Sequence, residues 1–247
     1  MQSRDQTLEV WGELACFTRP ELKVERFSYP VITPAAARGI YDAIYCKPHR
    51  DGKGAEFRWQ ITRIEVLAQP SYIALRRNEV KEKGPSDGTI QQWLRGEKPI
   101  EPLWADGAED AVKGRTQRQT MALKNVRYRL HAKIEPWPGF EDRLQGLEGQ
   151  FRRRAETGKC IYQPYFGCRE FPAYFELVQP QASSAVPIAW DADLGLMVYD
   201  VFDLSQPGKW TDGPQISVFR ARVEHGVLAV PDYESDQVLR VGGGAPC

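Results

Sequence analysis

Tyr45 and Lys47 stand two residues apart at a point where a helix must stop. A phenol and an ammonium at a helix exit can both be presented to a bound molecule, the first to orient a hydroxyl, the second to neutralise an anion. The helix is well signalled. Thr33 suits the N-cap, and Pro34 suits the first helical position, where a missing N–H costs nothing. Ala37, Ile40, Tyr41 and Ile44 recur at helical spacing, so one face is buried. Pro48 disfavours helical geometry at Lys47, which predicts a helix over Pro34–Cys46. The plainer alternative for Tyr45 is a half-buried side chain with a satisfied hydroxyl.

A second group of reactive side chains lies on a basic stretch. From Lys113 to Lys133 there are seven lysines and arginines and no acidic residue. Val126, Tyr128, Leu130, Ala132 and Ile134 alternate with Asn125, Arg127, Arg129, His131 and Lys133. This predicts a strand over Met121–Ile134 with one apolar and one strongly basic face. Lys124 can neutralise charge developing on a phosphate. His131, beside Lys133 on the basic face, is of the type that exchanges protons near neutral pH. Arg19, Lys23, Arg26 and Arg38 surround the first loop and helix, Lys47 marks the helix exit, and Arg76 and Arg77 follow a short strand. Each can contact phosphate, while Phe27, Tyr29 and Phe166 can stack on unpaired bases. A solvated basic strand is the competing explanation.

Net charge is uninformative, because Lys plus Arg and Asp plus Glu are both 33 in 247 residues. Its distribution says more. Residues 180–247 carry nine acidic residues against four basic, which suggests one face for a polyanion and another for a different partner. Five cysteines without a CxxC pair, and no secretory signal, point to a reducing cytoplasm. No run approaches the ~18 apolar residues of a membrane span. No Asp, Glu, His or Cys set has metal-ligand spacing, so neither a metal nor any other cofactor is expected. Gly242-Gly243-Gly244 precedes no helix and reads as a tail rather than a phosphate loop.

The elements follow from pattern. Leu8–Phe17 alternates loosely, and Phe57–Leu67 alternates with a one-residue offset that implies a bulge. Tyr72–Leu75 is a short strand, and 81–115 reads as an irregular insertion with one helix near Thr89–Leu94. Phe140, Leu144, Leu147, Phe151 and Ala155 form the stripe of a second amphipathic helix that Gly158 ends. An aromatic hairpin turns around Phe166-Gly167-Cys168. Strands Gly195–Phe202, Ile216–Glu224 and Val227–Val230 follow, the last two joined by His225-Gly226. The expected fold is α+β, with a ferredoxin-like domain over 1–179 and a small antiparallel β domain over 180–247.

The blocks CFTRPELKVERFSYPVITPAAARGI, AIYCKP, RRNEVKEK, ALKNVRYRL and PYFGCREFPAYFEL occur in this order between Leu8 and Val178. Together they resemble the type I-C (Dvulg subtype) CRISPR-associated subunit that processes crRNA precursors, within the RAMP superfamily of RNA-binding proteins. The resemblance implies a metal-independent endoribonuclease that cuts the repeat hairpin by 2′-OH attack. It would leave a 5′-OH and a 2′,3′-cyclic phosphate and stay on the 5′ handle, beside the backbone and large subunits of the interference complex. It also implies a role in cleavage for Tyr45 and for a basic pair near Lys124, often with a histidine. Here Asn125 follows Lys124, so His131 and Lys133 are the available partners. The Phe166-Gly167-Cys168-Arg169 turn resembles the family's glycine-bearing loop near RNA, which adds Gly167 and Arg169 to the expected RNA contacts. A non-catalytic subunit capping the crRNA handle is the alternative. Asn125 favours it and the intact Tyr45-Cys46-Lys47-Pro48 corner opposes it. Duplex DNA is a third partner, since a basic face does not select between polyanions.

Overall fold

The computed structural model describes residues 3–49, 54–81, 84–100, 114–178, 185–208 and 213–240; Lys113 and the Gly242–Gly244 tail lie outside them. In chain order the elements begin β1 (Gln6–Ala15), β2 (Arg26–Phe27), α1 (Pro34–Ile44), β3 (Phe57–Val66) and β4 (Tyr72–Val80). They continue with α2 (Asp87–Leu94), β5 (Arg115–Pro136), α3 (Leu144–Glu156) and β6 (Tyr174–Leu177). Strands β7 (Ala192–Asp200), β8 (Ser217–Glu224), β9 (Val227–Ala229) and β10 (Val238–Arg240) complete the chain.

Alternation builds the central layer. Leu8 and Val10 of β1, Trp59 and Ile61 of β3, and Tyr128, Leu130, Ala132 and Ile134 of β5 are buried. The expected offset in β3 is a register shift against β5 between Ile61 and Arg63, after which Ile64 and Val66 return to the core. The strands pair in the order β3-β5-β1-β6, each pair antiparallel. Helix α1 starts as its sequence dictates, with Thr33 Oγ1 accepting the Ala36 N–H and Pro34 in the first turn. Its Tyr41 ring packs 4.8 Å from Trp59 and 5.6 Å from Phe151 of α3, and Phe151 lies 4.7 Å from Trp59. The buried Tyr41 hydroxyl, shared between the Gln6 and Leu130 carbonyls at 2.8 Å each, ties α1 to two strands. Both helices therefore pack on the Trp59 side of the sheet, and these elements run β-α-β-β-α-β along the chain.

The strands beyond 180 differ from the expected separate domain. Strand β9 pairs with β3 from Arg63↔Ala229 to Glu65↔Val227, and β8 joins β7, β9 and β10. One sheet thus runs β10-β8-β9-β3-β5-β1-β6. The tight turn between β8 and β9 has φ of 50° at His225 and 76° at Gly226, the doubly left-handed geometry that matches strand twist. Residues 1–73 and 121–247 form one compact unit and 74–120 a second.

Within the second unit, α2 is capped by Ser86 Oγ, which accepts the Thr89 N–H at 3.2 Å, and the Lys81 N–H closes on the Gly114 carbonyl. Strand β4 continues to Val80 rather than stopping at Leu75, so Arg76 and Arg77 are strand residues, and β5 begins at Arg115 rather than Met121. No residue of β4 is buried, so its length comes from pairing with β5 and leaves no apolar period to read. No helix among the described residues is long and apolar enough to cross a membrane.

Candidate active site

Tyr45 is the C-cap of α1. Its N–H donates to the Tyr41 carbonyl at 2.8 Å, and its own carbonyl accepts Trp59 Nε1 at 3.0 Å. The ring stacks 5.5 Å from Phe57 and is only 7 % exposed. Burial, and then the nearby Glu56 carboxylate, push the phenol above its usual range. Tyr45 is therefore a neutral hydroxyl in this setting, suited to hydrogen bonding rather than to acting as a phenolate base. Around it the chain assembles charge. Buried Glu56 is held by Arg143 Nη1 at 2.9 Å and by Lys47 Nζ at 3.4 Å, and both cations keep about half their side chains in solvent. The Glu56 N–H bonds the Lys47 carbonyl and the His49 N–H bonds Gly54, which folds the segment back on the helix exit. His49 meets Phe140 edge-on at 5.2 Å, and Arg143 lies over the same ring at 5.5 Å.

The other expected catalytic residues do not join this corner. Lys124 is exposed, its N–H bonded to the Ser71 carbonyl, and its ammonium makes no ion pair among the described residues. Its position pairs with Leu14, whereas the Tyr45 carbonyl is fixed at Trp59, which pairs with Ile134. The ten strand steps from Lys124 to Ile134, at ~3.3 Å each, separate the two by on the order of 30 Å. Lys133 pairs with Gln60 and His131 with Thr7, on the sheet face opposite Trp59. No single phosphodiester spans Tyr45, Lys124, His131 and Lys133.

The strongly basic face expected of β5 is neutralised from both sides. Arg127 Nε donates to Glu9 Oε1 at 2.6 Å, and Arg129 bridges Glu9 at 3.5 Å and Glu65 at 2.8 Å. His131 is 7 % exposed, with Nε2 3.0 Å from Glu65, Nδ1 3.2 Å from Thr7 and the Arg63 guanidinium 3.2 Å away. Acidic residues on β1 and β3 lie in register with basic ones on β5, which a reading of β5 alone misses. Burial first, and Arg63 second, push the His131 imidazole below its ordinary range against the pull of Glu65. The unfolded chain then binds this proton more readily than the folded one. The stability involved is intact above the unfolded histidine value of ~6.5 and is lost as pH falls below it. The melting temperature should drop between about pH 7 and 5.5, and His131→Gln should flatten that drop. An identical slope in both proteins would rule the assignment out.

The remaining expected RNA contacts divide. Arg38 is consumed by a bidentate pair with Asp200, of which only 1 % is exposed, and by Asp42 at 2.7 Å. Arg26 contacts Cys168 Sγ at 3.3 Å and Glu170 at 3.9 Å, and Arg19 lies 4.5 Å over the Tyr29 ring. Lys23 and Arg169 are exposed on the loops at 18–28 and 165–172. In the second unit Arg76 is exposed and Arg77 lies 3.5 Å from Glu79. Phe166 and Tyr29, expected to stack on bases, are core residues at 0 % and 2 % exposure. Gly167 has φ of +80°, and a Cβ there would lie 2.0 Å from the Cys16 carbonyl oxygen, so its role is to let the 165–172 loop dock on β1. His49 at the helix exit and the exposed aromatics Trp11 and Tyr174 lie outside the residues expected from the sequence. The last two sit at outward positions of strands, and that phase was the available signal.

Comparison with known proteins gives a consistent result. The family model described as CRISPR-associated protein (Cas_Cas5), in its Cas5d form, matches residues 7–231. The chain is 36 % identical to the CRISPR pre-crRNA endoribonuclease Cas5d of Thermus thermophilus, over 96 % of both chains. It is 35 % identical to the protein of the same name from Mannheimia succiniciproducens, over 94 % of this chain and 97 % of that one. In fold it resembles a CRISPR-associated protein of known crystal structure, with a TM-score of 0.60 and 20 % identity over 96 % and 97 % of the two chains. With its α+β elements on one dominant antiparallel sheet, this chain belongs to the Cas5d family of CRISPR-associated proteins.

Proposed function

We propose that this chain is an endoribonuclease that cuts CRISPR precursor RNA at its repeat hairpin. The observation that carries the reading is the 35–36 % identity, over nearly the full length, with two proteins named as pre-crRNA endoribonucleases. The helix-exit corner supports a site for the chemistry. Cleavage through the adjacent 2′-OH needs that hydroxyl deprotonated, the pentavalent phosphorane stabilised and the 5′-oxygen protonated as it leaves. Lys47 and Arg143, half in solvent, can stabilise the phosphorane, and the neutral Tyr45 hydroxyl can hydrogen-bond the reacting 2′-OH or phosphate. His49 stands at the same corner, edge-on to the Phe140 ring that Arg143 overlies, where its imidazole can hydrogen-bond the RNA. The products would be a 2′,3′-cyclic phosphate and a 5′-OH, formed without a metal. Lys124, Lys23 and Arg169 would hold the RNA rather than react with it. The protein would work in the cytoplasm and remain on the crRNA handle within the interference complex. The exposed apolar side chains Leu196, Phe202, Ile216 and Leu239 around β7, β8 and β10 suit its backbone and large subunits.

Incubation of the purified protein with an end-labelled repeat hairpin in excess EDTA tests this, beside a substrate with a single 2′-deoxy at the cut site. Cleavage in EDTA that the deoxy substitution abolishes is expected. Tyr45→Phe should slow it by on the order of 10²-fold, the loss typical of one transition-state hydrogen-bond donor. Because the phenol stays neutral, the substitution should leave the pH–rate profile unshifted. The separation of Lys124 from Tyr45 favours the second reading, a subunit that caps the handle without cutting. Tight RNA binding with no product would select it, and tighter binding to duplex DNA than to the hairpin would sink both.

A further inference from the structure

On the sheet face opposite the helices, three strands bring one row of side chains together. Trp11 of β1 pairs with Tyr174 of β6 on one side and with Arg127 of β5 on the other. The two rings lie 6.3 Å apart at an interplanar angle of 29°, and they stay 37 % and 52 % exposed. Leaving such rings in water forfeits a large burial energy, so an exposed aromatic row on a structured sheet marks a contact surface. Arg127 is tethered to Glu9 yet half exposed, which fixes its guanidinium and leaves N–H edges outward. Beside the row is an open groove of about 650 Å³, bordered also by Glu13, Asn125 and Glu176. That volume falls within the range that takes a small ligand such as a nucleotide. Asn125 has φ of +52°, so β5 departs from regular strand geometry at the groove. Glu13 and Glu176 repel a phosphate laid across the rings but accept from the amino and imino groups of a base edge.

We infer that Trp11 and Tyr174 form a stacking platform for an unpaired RNA base, with Arg127 at the flanking phosphate. The inference rests on the RNA-binding reading above and names the chemistry of a surface separate from the Tyr45 corner. Stacking on aromatic side chains is how open sheet faces hold single-stranded nucleotides. A duplex, with its bases already stacked on one another, offers no free base face to the platform.

The test is fluorescence anisotropy of a labelled repeat RNA bearing single-stranded flanks, titrated over a salt series. The proteins are the wild type, Trp11→Ala/Tyr174→Ala and Trp11→Phe/Tyr174→Phe, each with its melting temperature. The alanine pair should weaken binding ~10–100-fold, the worth of one stacked base. The logarithmic slope of affinity on salt should not change, because stacking releases no counterions. The phenylalanine pair keeps both ring faces and should bind within about threefold of wild type. Photocrosslinking of the wild-type complex should attach RNA to the peptides that carry Trp11 or Tyr174. Unchanged affinity in the alanine pair, beside a wild type that binds, overturns the platform and leaves the RNA reading standing. Lost association with other subunits at unchanged RNA affinity also overturns it, in favour of a protein contact. A wild type that binds no RNA defeats both readings together.

Discussion

Replacing Arg38 by methionine should cost about 3–5 kcal/mol of stability, the loss expected when one member of a buried ion pair is removed. Its Nε and Nη2 reach the two Asp200 oxygens at 2.8 and 3.0 Å, while Nη1 reaches Asp42 at 2.7 Å. Asp200 Oδ1 also accepts the N–H groups of Val201 and Phe202, at 2.8 and 3.0 Å, so the carboxylate cannot swing to water when its partner is lost. Burial already pushes the Asp42 carboxyl up, and Arg38 is the charge that holds it down. At ~2–4 °C per kcal/mol for a chain of this size, the melting temperature should fall by roughly 10 °C. Arg38→Met/Asp200→Asn should recover a large part of the loss in urea melts, because the stranded charge is gone. A double variant as unstable as the sum of the singles would refute the pairing argument. The folded fraction of Arg38→Met should bind RNA with wild-type affinity and salt slope, since this guanidinium is already spent on Asp42 and Asp200.

Gly167→Ala should have a comparable effect, near 3 kcal/mol, from two sources that add. The left-handed backbone costs an L-residue ~1–2 kcal/mol. In addition, the new methyl would lie 2.0 Å from the Cys16 carbonyl oxygen, so the loop must lift from β1. Lifting strains the 3.0 Å bond from the Cys16 N–H to the Phe166 carbonyl and disturbs the Phe166 ring, which lies 6.1 Å from Phe17 and 6.2 Å from Tyr128. Gly195→Ala is the control. It has φ of +68° with nothing within 4 Å of the added carbon, so only the backbone part of ~1–2 kcal/mol applies. Equal losses at the two glycines would show that packing against Cys16 contributes nothing.

Much of the framework is legible in local pattern. Thr33-Pro34, the stripe of α3, the offset in β3 and the His225-Gly226 turn all carry signals that act over a few residues, and the structure follows them. What local pattern could not carry is register. Arg127, Arg129 and His131 look like a free cationic face until β1 sets Glu9, and β3 sets Glu65, beside them. Arg38 looks like an RNA contact until Asp200, far along the chain, reaches it. The dispersal of the expected catalytic residues over the sheet was hidden for the same reason. Tyr45 and Lys124 each sit at a recognisable boundary, but only strand pairing reveals how far apart those boundaries lie. The strands after 180 were readable singly, whereas the partner of β9 was not, because β9 meets β3 across more than half the chain.

That pairing bears on how the protein is made. When β3 leaves the ribosome, the residues of β9 are still to be translated, and the β3 edge they will cover has no native partner. Until then the Arg63–Glu65 stretch presents open N–H and C=O groups, the kind of edge that recruits strands from neighbouring nascent chains. The C-terminal strands thus protect the molecule as well as extend it. Closing the sheet late, through a pairing so distant in sequence, also makes this a slow step in folding. A chain truncated before β9 should accumulate as aggregate rather than as a smaller soluble domain.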